Sequence, residues 1–255
     1  MAERTVIVTG AAGTIGRAIA RAFAGEGDFV AVWDVKKEAA ESVAEDIQNE
    51  TAGSAKGYAV DVTSEEQIMQ NTKLLVDERG SIDVIVNNAG LQHIDPVEHF
   101  PLEKWNHLLD VMLTGPFLLI KHVLPVMKKQ KYGRIINISS VHGKTASPFK
   151  AAYISAKHGL VGLTKTVALE TADYGITANA IMPGAVDTPL VQNQLEKLAS
   201  EEGITKQEAL MKHLLNKQAV KRFIRPEEVA ACAVYLASDP AGAVTGETIS
   251  VSGGW

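Results

Sequence analysis

The chain has 255 residues, with 25 Lys or Arg against 30 Asp or Glu for a net charge of −5, and one cysteine, Cys232. That length fits a single α/β domain with a large core, and an acidic balance with no block of Lys or Arg argues against nucleic acid as a partner. One cysteine allows no intrachain disulfide, no basic-then-apolar leader precedes the first strand, and no apolar run approaches ~20 residues, so a soluble, cytoplasmic protein without a membrane span is expected.

Thr5–Thr9 is a β-branched run followed by Gly10-Ala11-Ala12-Gly13-Thr14-Ile15-Gly16 and an Ala-rich helical pattern to Ala24. Phe29–Trp33 reads as the second strand, stopping at Asp34, and Glu38–Glu50 as a polar-faced helix. A third strand is expected at Tyr58–Val60, ending at Asp61. Thr63, with Glu66 three residues on, predicts a capping box for a helix toward Arg79. Val84–Val86 is a buried strand entering Asn87-Asn88-Ala89-Gly90, and a long helix is expected over about Leu102–Lys128. Arg134–Ile138 is the strand leading to Ser140, and the next helix carries Tyr153 and stops at Gly175. Ile176–Ile181, broken by Pro183-Gly184, is another strand. Residues 188–224 are polar and helix-prone and read as an inserted substrate flap. Pro226-Glu227-Glu228 opens a helix in the favoured way, and Thr248–Val251 is the last strand.

Strands alternating with helices, most of them apolar on both faces, predict one doubly wound parallel sheet covered on both sides. Ligands then bind beyond the carboxyl ends of the strands, where Asp34, Asp61, Asn87 and Ser140 fall. Gly10, Gly13 and Gly16 in the first βα turn suit a pyrophosphate held by N–H groups at a helix N-terminus, although any tight βα turn uses glycine. Asp34, about 20 residues on, is placed to accept both ribose hydroxyls of NAD and to repel a 2′-phosphate. Lys36 and Lys37 act against that choice if either swings toward such a phosphate, and are otherwise a solvated pair opening a helix.

Tyr153 and Lys157 lie four apart, hence on one helix face. Tyrosine titrates near ~10 in water and burial raises that, while a nearby cation pulls it toward working pH, as a general acid/base requires. Taken alone, Tyr-x-x-x-Lys recurs by chance on many helices. Gly10-x-x-x-Thr14-x-Gly16, Asn87-Asn88-Ala89-Gly90, Ser140, Tyr153-x-x-x-Lys157, Pro183-Gly184 and Val251-x-Gly253-Gly254, in this order, resemble the short-chain dehydrogenase/reductase family over essentially the whole chain.

The resemblance implies a Rossmann-type sheet and reversible hydride transfer between nicotinamide and a carbonyl or alcohol. It assigns Tyr153 as acid/base, Ser140 to the reacting oxygen, and Lys157 to the nicotinamide ribose and a depressed Tyr153 pKa. It places Asp61 and Val62 at the adenine, Asn88 and Gly90 on the adenosine side, and Val186 and Thr188 at the carboxamide, with Gly10, Thr14, Ile15 and Pro183 completing the cofactor set. It also implies a homotetramer with the helices beginning near Leu102 and Ala151 in the interface. Two positions depart from the pattern: Thr14 stands where the family usually has glycine, and Met112 where it usually has the asparagine of a proton relay.

A narrower resemblance joins Gln92, His142, Lys150 and Gln194 to the bacterial D-3-hydroxybutyrate dehydrogenases, whose Gln, His, Lys and Gln clasp a substrate carboxylate. The chemistry is sensible by itself, since a small anion needs a cation and several donors to offset desolvation. Ala185 replaces an aromatic common in such enzymes, which implies a roomier pocket. Rival readings are a 3-oxoacyl or sugar-alcohol oxidoreductase, or a nicotinamide-sensing protein without turnover. No metal is expected, because His93, His99, His107 and His213 lack metal-ligand spacing and read as surface or packing residues.

Overall fold

The computed structural model describes residues 3–255. Seven strands form one parallel sheet in the order β3-β2-β1-β4-β5-β6-β7. They are β1 (Thr5–Thr9), β2 (Phe29–Asp34), β3 (Ser54–Ala59), β4 (Val84–Asn87), β5 (Gly133–Ile138), β6 (Ile176–Pro183) and β7 (Thr248–Val251). The order reverses between β1 and β4, so the loops after those strands diverge and open a crevice at their carboxyl ends. The central strands β1, β4, β5 and β6 are buried at every residue, as a sheet with helices on both faces requires.

One face carries α1 (Thr14–Gly25), α2 (Lys37–Glu50) and α9 (Pro226–Leu236), whose Ile19, Phe23, Ile47 and Val229 bury into a core with Val6, Val32 and Val86. The other carries α3 (Glu65–Arg79), α5 (Gly115–Gln130) and α6 (Ala151–Thr171), with Ile68, Leu119, Val123 and Val167 over Ile7, Ile85 and Ile135. Residues 188–224 fold largely as α7 (Pro189–Glu202) and α8 (Lys206–His213), with a short 3₁₀ turn after them.

Three expectations need correction. The third strand runs Ser54–Ala59, ahead of the expected Tyr58–Val60, because this edge strand buries only Ala55 and Tyr58 and reads as polar. Gly57 lies so close to α2 that a Cβ there would stand 2.5 Å from the Glu41 nitrogen. The helix after it is capped by Ser64, which accepts from the Gln67 N–H, while Thr63 turns back and donates to Asp61 Oδ1 at 2.7 Å, so no Thr63–Glu66 box forms. Finally, α4 (Leu102–Leu109) joins α5 through a π-helical turn, Asp110–Thr114, to make a continuous helix from Leu102 to Gln130. Among the described residues this helix alone is long and apolar enough to cross a membrane, contrary to the expectation. Its apolar residues Leu118, Leu119, Ile120, Val123 and Met127 are instead spent in the core beneath the sheet.

A buried amide chain ties the sheet to α6. Asn87 Nδ2 donates to Asn137 Oδ1 and Asn137 Nδ2 donates to Thr164 Oγ1, each at 2.8 Å. Asn137 is fully buried, so water cannot replace a lost partner. Asn137→Ala is expected to lower unfolding free energy by about 2–4 kcal/mol, measured as a shift of the urea midpoint at unchanged slope.

Candidate active site

The crevice at the β1/β4 switch point is a cleft of about 600 Å³ running from the glycine turn to α6. Its wall at one end is the turn Gly10–Gly16. Gly10 has φ +59°, and a Cβ there would stand 2.7 Å from the Ala89 Cα. A Cβ at Gly16 would stand 2.5 Å from the Gly10 oxygen and 2.6 Å from the Asn88 amide nitrogen. These two glycines are obligatory, whereas a Cβ at Gly13 would meet only the Gly10 oxygen at 3.3 Å. Gly13 caps α1 with no side-chain hydrogen bond, which leaves the first-turn N–H groups free to receive an anion. Thr14, in place of the usual glycine, opens that helix without obstructing it.

Asp34 ends β2 with both carboxylate oxygens fixed, accepting from the Ala12 N–H and the Lys36 N–H at 3.2 Å each. Lys36 and Lys37 are exposed and lie outside the cleft lining, with Lys37 Nζ 3.7 Å from Glu41. Asp61 accepts from the Thr63 N–H at 2.8 Å. Asn88 does not offer its amide to a ligand: Nδ2 donates to the Thr9 and Gly10 carbonyls at 3.0 and 3.1 Å, tying β4 to the glycine turn. Every residue expected at the cofactor lines this cleft: Gly10, Thr14, Ile15, Asp34, Asp61, Val62, Asn88, Gly90, Tyr153, Lys157, Pro183, Val186 and Thr188. The uncapped helix end, the close-approach glycines and the oriented carboxylate fit a dinucleotide.

At the other end, Ser140 follows β5 and Tyr153 and Lys157 project from one face of α6. Lys157 is buried, and its Nζ donates to the Ile138 carbonyl at 2.8 Å. Ser139 Oγ donates to the Lys157 carbonyl at 3.1 Å, so strand and helix hold each other at the point where the three side chains meet. Burial pulls the Lys157 pKa down to about 8. The Tyr153 pKa is raised by burial, against a smaller lowering by its hydrogen bond with Ser140. This corrects the expected depression by Lys157: the ammonium sits 5.7 Å from the ring centroid and is committed to Ile138. Met112 is fully buried at the π turn and packs among Leu108, Ala152 and Ala156, so no relay side chain reaches the cleft from there.

A second cleft of about 550 Å³ lies beyond His142 and collects Lys150 and Gln194. The His142 ring is the partition, edge-on to Tyr153 at 6.1 Å and to Trp255 at 5.7 Å. Its two nitrogens contact Ser140 Oγ at 3.4 Å and Ser147 Oγ at 3.1 Å. Burial first, then the electrostatic effect of Lys150, Lys217 and His158, pulls its pKa down to about 4, so it is a neutral imidazole above that pH. Lys150 is buried, and its Nζ donates to Gln194 Oε1 at 3.1 Å. Burial and Lys217 bring its pKa down to about 8.

Two substrate expectations fail. Gln92 lines neither cleft, and its side-chain oxygen accepts from the His93 N–H at 3.2 Å. Ala185 also lines neither, because the space beside it is filled by Leu195, Ala209, Leu214 and Leu215 of the flap region. His107 lines the first cleft and His213 the second, so these two are not plain packing residues. Among the described residues, no group of three or more His, Cys, Asp or Glu is assembled for a metal. The sequence reading missed Trp255, which meets His142 edge-on, Lys217, whose Nζ is 5.2 Å from the Trp255 ring centroid, and Gln218. Gln218, buried, accepts from the Ala185 N–H and donates to the Val220 and Arg222 carbonyls, anchoring the flap's return. Only Trp255 gave a signal, as a large aromatic following two glycines.

Residues 10–255 match the family described as enoyl-(acyl carrier protein) reductase. The chain belongs to the short-chain dehydrogenase/reductase family. Within that family it is 45% identical over 255 residues to the uncharacterized oxidoreductase YxjF of Bacillus subtilis, covering 100% of this chain and 99% of the relative. It is 41% identical over 253 residues to the D-beta-hydroxybutyrate dehydrogenase of Rhizobium meliloti, covering 99% and 98%. The crystal structure of levodione reductase superposes with a TM-score of 0.92 at 33% identity, over 98% of this chain and 96% of that one. The chain is therefore an oxidoreductase of a short-chain family that works on alcohol and ketone groups with NAD or NADP.

The two kinds of glycine separate experimentally. Gly16→Ala is expected to weaken dinucleotide binding by about tenfold or more and destabilise the fold by about 1–3 kcal/mol. Gly13→Ala should leave both nearly unchanged, as read by fluorescence titration with NADH and NADPH and by urea unfolding.

Proposed function

We propose that this oxidoreductase interconverts D-3-hydroxybutyrate and acetoacetate using NAD. The observation that carries the reading is Lys150, a buried ammonium across His142 from the Tyr153 cleft, for which no carboxylate within ion-pair distance is found among the described residues. A buried cation paired only with a neutral amide is costly, and a substrate carboxylate offsets that cost. His142, neutral and fixed by Ser147, supports the reading as a polar wall between the acid end and the reacting end. The identity to the Rhizobium meliloti enzyme points the same way. A 3-oxoacyl thioester would bring no carboxylate and leave Lys150 uncompensated. Asp34, with both oxygens oriented and no lysine in the lining near it, favours NAD over its 2′-phosphorylated form.

A dinucleotide held in the first cleft between the glycine turn, Asp34 and Lys157 would supply the hydride chemistry. Ser140 Oγ and the Tyr153 hydroxyl receive the reacting oxygen, and Tyr153 takes or gives its proton. A phenol kept protonated by burial is ready to protonate a carbonyl. Its deprotonation, needed for alcohol oxidation, is helped by the hydrogen bond with Ser140, which lowers the Tyr153 pKa against the effect of burial. Lys150 and Gln194 hold the carboxylate remotely, so that the carbon bearing the hydroxyl is fixed against Tyr153. The flap, α7 and α8, supplies Gln194 and covers this end against water. The same reading includes a cytoplasmic homotetramer, for which the exposed Phe117 and Leu169 on the long helices are apolar residues an assembly would cover.

The deciding assay is NADH or NADPH formation with D- and L-3-hydroxybutyrate. Turnover confined to the D-acid with NAD is expected, and Lys150→Ala should raise KM for the acid by about 10- to 100-fold while leaving a neutral secondary alcohol nearly unaffected. Equal effects on both substrates would remove the clasp. Absence of turnover with retained NADH binding would favour the sensor reading, which Met112 alone supports.

The same lysine sets a pH dependence. Its free-enzyme pKa, lowered to about 8, leaves it charged below that pH and neutral above. The ratio of kcat/KM for the acid to that for the neutral alcohol should therefore be flat below about 8 and fall as pH rises through it. Taking the ratio cancels the titration of Lys157 and Tyr153.

A further inference from the structure

Lys150, which lines the second cleft, follows a residue of unusual backbone conformation. Among the described residues only two other than glycine have positive φ, Lys131 at +54° and Phe149 at +68°. Lys131 is the left-handed cap ending α5, an ordinary place for that conformation. Phe149 does not end a helix but stands one residue ahead of a helix N-cap. It stands in the loop Ser147-Pro148-Phe149 immediately before Lys150, the N-cap residue of α6. An aromatic side chain in the left-handed region is disfavoured, and such a residue persists only where its surroundings impose it.

Burial of the ring does not repay the backbone. Phe149 is 54% exposed. What the turn achieves is visible on either side of it. The Phe149 carbonyl accepts from the Asp95 N–H at 3.0 Å, joining the loop after β4 to the loop before α6. Two residues earlier, Ser147 Oγ contacts His142 Nε2 at 3.1 Å. One residue later, the Lys150 side chain is buried with its Nζ on Gln194. Ser147, Pro148, Phe149 and Lys150 all line the second cleft, and the reversal at Phe149 brings Ser147 and Lys150, three residues apart, to that one cleft. An extended backbone at 149 would redirect Lys150 relative to Ser147.

We propose that Phe149 is a positioning residue for the acid-end clasp, acting through its left-handed backbone, which aims Lys150 into the cleft. The proposal rests on the carboxylate reading of Lys150 given above. It separates backbone from ring: residues that tolerate positive φ should preserve function though they lack the ring, and a β-branched residue should not.

The test uses the full-length protein with 3-hydroxybutyrate and a neutral secondary alcohol of similar length, with NADH binding as a control for an intact nicotinamide cleft. Phe149→Gly and Phe149→Asn are expected to keep KM for the acid within about twofold of the parent. Phe149→Val should raise KM for the acid by about tenfold with little change in kcat, and leave KM for the alcohol within about twofold. If the Val variant does not bind NADH, Phe149→Ala replaces it, with an expected rise of about threefold confined to the acid. An unchanged acid KM in the Val variant, or in the Ala variant where it replaces Val, or an equal rise for both substrates, overturns the proposal. So does a rise in the Gly and Asn variants, which would assign the role to the ring. Should Lys150→Ala itself fail to distinguish acid from alcohol, the carboxylate reading falls instead, which keeps the two failures apart.

Discussion

The site depends on how a buried ammonium is satisfied. Lys157 enters the space behind β5 and finds one protein acceptor, the Ile138 carbonyl, at the strand's last residue. That carbonyl is available because β5 ends there and the chain turns away into Ser139 and Ser140. The return bond from Ser139 to the Lys157 carbonyl closes the contact from the other side. A Cβ at Gly143 would stand 2.5 Å from Ser139 Oγ and 3.1 Å from the Lys157 carbonyl, so the turn after Ser140 can be this tight only with glycine. Helix and strand are thereby locked at the residues that supply the hydroxyl, the phenol and the cation. Deeper in, the Asn87–Asn137–Thr164 chain fixes the same two elements with no room for water.

That lock is useful because of where the sheet places it. The reversal of strand order between β1 and β4 sends their loops to opposite sides, and the vacated crevice runs straight to the end of β5. The glycine turn stands at the far side of this crevice, held by the Asn88 side chain to Thr9 and Gly10. One cleft thus joins an anion-receptive helix end to a proton-transfer group. The second cleft adds a buried cation beyond His142.

The two buried lysines show how similar electrostatics serve different ends. Both are brought to a pKa of about 8, chiefly by burial. Lys157 has a backbone carbonyl as its acceptor and the Tyr153 ring above it. Lys150 has only an amide, next to a histidine whose proton is driven off by burial and by neighbouring cations. A cation that the protein leaves without a carboxylate calls for one from outside.

The sequence by itself determined the alternation of strands and helices, the glycine turn, Asp34, Ser140 and the Tyr153–Lys157 pair. Each of these is local: a periodicity, a turn requirement or a spacing along one helix. It misplaced β3, because an edge strand that buries two residues carries little hydrophobic pattern, and it chose Thr63 over Ser64 as cap, because either residue type can cap and only the contact with Asp61 decides. Gln92, Ala185, Trp255, Lys217 and Gln218 were decided by tertiary structure alone, since what they face depends on how α7, α8 and the loops around them pack. The aim of Lys150 belongs to the same class. Lys150 bonds Gln194, 44 positions away, and follows one left-handed residue whose carbonyl accepts from the Asp95 N–H, and no pattern along the chain encodes contacts of that kind.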